Sequence, residues 1–223
     1  MSHVYRWHPQ LTASMDGPMV GTTPLHLHQS DIDGACGIHA ALMALMLLNL
    51  VERDDLEKPP ISKTKKKSLA SFWKHCSPYY FSGALPDELK TVFKPFKKEV
   101  CCKVLDKSPV NEAAATLQAD GLCIAGLTNT TFDHWVLIVG IGGKEGSAHL
   151  DRFLILDPAL PPLPMLPWNA TLTVKPSRRG LHRYETANGD CKVYFEDALL
   201  RTPNISKSDF DLGLDLELEL ESD

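Results

Sequence analysis

Between Cys36 and Val51 the chain reads CGIHAALMALMLLNLV, and no other stretch limits the possible folds as much. It is made of good helix formers and is apolar almost all the way round, so a helix here has no polar face to turn to water. Its apolar part, AALMALMLLNLV, is about twelve residues long, too short to cross a bilayer. The stretch therefore predicts a central helix covered on every side by other elements.

The flanking sequence divides into two textures. Residues 1–25 are rich in Gly, Pro and Thr without clear periodicity and read as a loop-like lead-in. After the central helix, a Pro-Pro pair breaks structure and a lysine-rich run begins a second, amphipathic helix. LPDELKTVFKPFKK (85–98) predicts a short helix with Pro86 in its first turn. EVCCKVL reads as a strand, and PVNEAAATLQAD as a helix closed by Gly121.

Beyond that point the runs are short, apolar and β-rich: LCIAGL (122–127), HWVLIVGI (134–141), RFLILD (152–157), ATLTV (170–174) and CKVYF (191–195). GGKEGSAHLD, between the second and third, predicts a hairpin loop. A helical N-terminal half followed by an antiparallel sheet half is the α+β pattern. Residues 1–208 are expected to form one catalytic domain, and 209–223 a flexible acidic tail of alternating leucine.

Charge narrows the partners. The net charge is −5, but the last fifteen residues hold seven acids and no Lys or Arg, leaving 21 acids against 23 basic residues elsewhere. A near-neutral body gives no reason to expect nucleic acid, and the tail suits a basic partner. The polar N-terminus has no secretory signal pattern. The six cysteines include no CxxC pair and fit a reducing, cytoplasmic setting, with leaderless delivery to another cell left open. Sequons begin at Asn129, Asn169 and Asn204 and have no meaning in such a chain.

Three separate positions carry the chemistry. Cys36 follows an acidic, glycine-containing loop and falls at the start of the central helix, where free N–H groups and the helix dipole favour a thiolate. His134 opens one apolar strand, and Asp157 closes the next, twenty-three residues later. If these strands pair as a hairpin, His134 and Asp157 become neighbours, and the carboxylate can orient the imidazole of a nucleophile–base–orienter triad.

DGACGIHAALMAL, DHWVLIVGI and FLILDP resemble, in order, the signature blocks of papain-like cysteine peptidases. The likeness is greatest to the bacteriocin-leader-processing peptidases and their stand-alone relatives, and it covers roughly residues 26–60 and 120–160. It implies a papain-like fold, with Cys36 as nucleophile, His134 as base and acid, and Asp157 as orienter. It also implies an upstream glutamine amide in the oxyanion hole. Gln29 is the only one nearby, seven positions before Cys36 where six is usual, and Ser30 holds the usual place. Ala35 stands where the family has Asp, and nothing resembles a transporter segment.

The expected activity is thiol hydrolysis of a peptide or isopeptide bond in a protein or peptide substrate, without cofactor or metal and without membrane insertion. Three other readings remain open. The same triad could deamidate a glutamine side chain, as in papain-like bacterial effectors with a Cys-x-x-His stretch, here Cys36 to His39. The cleft could be a non-catalytic binding surface. A metal site could use Cys36, His39, His26 and His28.

Overall fold

The structure is a computed structural model, and it describes residues 2–57, 67–105, 109–145 and 150–203. Strands come first: β1 (His3–Trp7), β2 (Leu11–Ser14), β3 (Gly17–Val20) and β4 (Thr23–Pro24). The helices α1 (Cys36–Leu47), α2 (Arg53–Glu57), α3 (Lys67–Cys76) and α4 (Pro86–Val92) follow, then β5 (Val100–Leu105) and α5 (Val110–Gln118). The remaining elements are strands: β6 (Leu122–Asn129), β7 (Phe132–Lys144), β8 (Leu150–Leu156), β9 (Ala170–Thr173), β10 (His182–Thr186) and β11 (Gly189–Pro203).

The last six strands form a closed antiparallel barrel in the order β7-β6-β11-β10-β9-β8, with β8 pairing back onto β7. Two more strands widen it, β1 along β7 and β5 along β11, while β2, β3 and β4 make a separate small sheet. This corrects the α+β expectation of a papain-like helical half packed on a sheet half. The protein is 38% strand and 27% helix, and its frame is the barrel.

The reasons for the difference are local. Residues 1–25 hold four strands where a loop is expected, because β1 is almost wholly exposed and shows no apolar alternation. Strand β10 (HRYET) likewise carries no apolar alternation, since its two buried positions, His182 and Tyr184, are polar types. Barrel closure rests on pairings remote in sequence, such as β6 with β11, which no local pattern carries.

Other expectations are met. The anticipated helices appear as α1, α3, α4 and α5, and β7 and β8 do pair as an antiparallel hairpin. Its turn falls partly outside the described residues, as do the lysine run through Lys66 and the acidic tail. Helix α5 does not close on Gly121. Asp120 takes the left-handed conformation (φ 56°), and the Gly121 N–H reaches the Thr116 carbonyl at 2.8 Å.

Alternation along the strands separates two apolar cores. Val136, Ile138, Leu127, Phe153, Ile155, Tyr184 and Phe195 fill the barrel with Ala113 and Leu117 of α5. Their strand neighbours Leu137, Val139, Ile124, Leu154 and Leu156 face outward onto α1. Every residue of α1 except His39 is buried, as its sequence demands, and truncating one of its fully buried leucines would cost about 2–5 kcal/mol. Among the described residues no helix is long and apolar enough to cross a membrane.

Candidate active site

The antiparallel hairpin does the first part of the work. It brings the start of β7 beside the end of β8, and the His134 Nε2 hydrogen-bonds Asp157 Oδ1 at 2.7 Å. Both side chains are buried, at 6% and 2% exposure. With Nε2 committed to the carboxylate, Nδ1 is the ring atom left for Cys36, which is the second hydrogen-bond partner of His134.

Cys36 reaches this position from the first turn of α1, through a tightly held loop. Asp33 organises it: Oδ2 accepts from the Ser30 N–H (3.0 Å) and hydroxyl (2.6 Å), and Oδ1 from the Ala35 N–H (3.0 Å). Burial would raise the Asp33 pKa, but these hydrogen bonds and the nearby His39 hold it below the usual carboxylate value. Gly34 is needed for close approach, since a Cβ there would lie 2.7 Å from both the Gly83 nitrogen and the Phe81 carbonyl oxygen. No side chain caps the helix start, so the Cys36 N–H is not taken by a cap. The Trp135 N–H points at the Cys36 sulfur from 3.5 Å, and the indole N–H binds the Ala84 carbonyl at 2.8 Å. Trp135 thereby ties the sheet to the 81–85 loop beside the thiol.

The electrostatics follow from burial and pairing. Burial alone would lower the His134 pKa. The hydrogen bonds to Asp157 and Cys36 and the attraction of both groups overcome it and raise the value to about 10. Burial would raise the Asp157 pKa, but His134, the Tyr184 hydroxyl and the Ala159 N–H keep it low. An imidazolium held against a sulfur is the arrangement a cysteine nucleophile requires.

Several supporting residues have no signal in the sequence. The Tyr184 hydroxyl donates to Asp157 Oδ2 from the barrel interior. Asn169 accepts from the Asp157 N–H (2.7 Å) and donates to its carbonyl (2.9 Å), and the His26 ring also donates to that carbonyl (2.9 Å). Asn169 sits in a sequon and is buried; Tyr184 lies on the unanticipated strand β10. Asn169 and Tyr184 come to Asp157 through the pairing of β8, β9 and β10, and His26 comes from the segment before α1.

Cys36, His134 and Gln29 line one cleft of about 750 Å³. Asp157 is not among its lining residues and lies behind His134. The Gln29 N–H binds the Pro158 carbonyl at 2.7 Å, which ties the cysteine loop to the chain just past Asp157. The side-chain Nε2 donates to the Asp33 carbonyl at 2.7 Å, while Oε1 is buried with no partner among the described residues. One amide N–H of Gln29 is therefore already committed. By sequence the chain matches no family model and no curated protein. The reading of the site thus rests on its own geometry.

The metal alternative finds no ligand set. His39 donates to the Ala35 carbonyl and His26 to the Asp157 carbonyl, and among the described residues no group of three or more His, Cys, Asp and Glu side chains could hold a metal ion.

Proposed function

We propose that this protein is a cysteine hydrolase that cleaves a peptide or isopeptide bond through Cys36, His134 and Asp157. The observation that carries the reading is the buried His134–Asp157 pair at 2.7 Å with the Cys36 sulfur on the other side of the imidazole, opening on a cleft. The order of the three motifs resembles papain-like cysteine peptidases and their bacteriocin-leader-processing relatives. The proposal concerns the chemistry, which can be carried on different frames.

In the reaction the Cys36 sulfur attacks the carbonyl carbon, and the oxyanion is held by the Cys36 N–H, with the remaining Gln29 amide proton as second donor. The C–N bond breaks as His134 gives its proton to the leaving amine, producing a thioester. Water then attacks the thioester and passes a proton to His134. The carboxylic acid departs as the sulfur is expelled, and the resting Cys36–His134 pair, with the proton on the imidazole, is restored. Asp157 keeps the ring orientation and tautomer constant throughout. All six cysteines are free, which supports a reducing, cytoplasmic setting for a thiol enzyme acting on a protein or peptide.

The test is mass spectrometry of a synthetic peptide library incubated with the protein or its Cys36→Ala variant. New termini formed only by the wild type are expected. A library left intact contradicts the proposal, and a gain of about one dalton without fragmentation would show side-chain deamidation instead.

A further inference from the structure

The two walls of the cleft differ in chemistry, and the difference bears on what it accepts. On the sheet side, Asp133, Glu196 and Asp197 line the cleft, and Glu88 lines it from α4; no Lys or Arg is among the described lining residues. Consecutive strand residues normally face opposite ways, yet Glu196 and Asp197 both line this space. A bulge in β11 between Phe195 and Asp197 accounts for it. The cross-strand register then sets Asp197 opposite Gly126 and Gly126 opposite Trp135. Gly126 leaves the floor low between the indole and the acid.

The facing wall is apolar and open to solvent. Phe81 is 74% exposed and Leu85 68%, both on the segment that Trp135 fastens beside Cys36. Exposed apolar side chains at the edge of a carboxylate-lined cleft suit an extended ligand with one apolar and one cationic part.

We infer that the cleft takes a cationic peptide segment, with a Lys or Arg side chain toward Asp133 and Glu196 and an apolar side chain on Phe81 and Leu85. This rests on the proposal that the cleft is the substrate site, and it names the substrate class. Complementary charge would act on encounter and selectivity, and would weaken with salt.

The inference is tested by binding, so that its outcome does not depend on turnover. Two fluorescein-labelled hexapeptides are used, one with a leucine and two lysines and its twin with two glutamates. Anisotropy with the full-length Cys36→Ala protein at low salt is expected to show the lysine peptide binding at least about tenfold tighter. That preference is expected to shrink to about twofold in the Cys36→Ala protein carrying Asp133→Asn and Glu196→Gln, both exposed positions. Equal binding of the twins overturns the inference. So does a preference unchanged by the two substitutions, which would assign it to the acidic segment 209–223. Tight, charge-selective binding without cleavage by the wild type would uphold the inference while removing the hydrolase reading. Cleavage indifferent to charge would do the reverse.

Discussion

On the barrel side of the site, all four hydrogen-bonding atoms of Asp157 are engaged: Oδ1 by His134 and Ala159, Oδ2 by Tyr184, the carbonyl by His26 and Asn169, and the N–H by Asn169. On the helix side, among the described residues, the Gln29 Oε1 is buried without a partner and the Cys36 sulfur has only the long contacts to Gly34 and Trp135 besides His134. The base is oriented before substrate arrives, whereas the nucleophile's surroundings keep hydrogen-bonding capacity in reserve. A site that must hold an imidazole fixed and receive a new oxyanion needs this asymmetry.

The comparison breaks most severely at Asp157. Asp157→Ala leaves His134, the Tyr184 hydroxyl and the Ala159 N–H facing a buried gap, and a loss of about 3–5 kcal/mol in urea unfolding is expected, together with loss of activity.

A second effect comes from pH. The His134 pKa is raised on folding, so its contribution is fully present below the unfolded value near 6.5 and is lost as pH rises through about 10. The urea midpoint is therefore expected to fall between pH 7 and pH 10, and to fall less in His134→Ala. Tyr184→Phe removes one donor to a charged, buried acceptor and should cost about 1.5–3 kcal/mol and lower the rate about tenfold. Gln29→Ala is the smallest perturbation. About 1 kcal/mol or less is expected in stability, with a loss of about tenfold in kcat and little change in KM.

The same division describes what could be read from the sequence. Cys36, His134 and Asp157 were legible because each falls at the end of a strongly patterned element, and one hairpin joins two of them. Tyr184, Asn169 and His26 were not, because the first two meet Asp157 only once β9 and β10 line up beside β8, and His26 reaches it from the separate segment before α1. The helix α1 was legible because an all-apolar stretch of that length has one place to go. The barrel was not: β10 lacks apolar alternation, and closure depends on strands separated by long stretches of chain, such as β6 and β11.

The central claim, that His134 activates Cys36, can be measured directly with iodoacetamide at neutral pH. Cys101 and Cys191 are exposed, whereas Cys36 is only 7% exposed, so accessibility alone would make Cys36 the slower site. Peptide mapping is expected to show Cys36 modified first in the wild type, and last to react relative to Cys101 and Cys191 in His134→Ala. Faster labelling of Cys101 and Cys191 in the wild type would contradict the account.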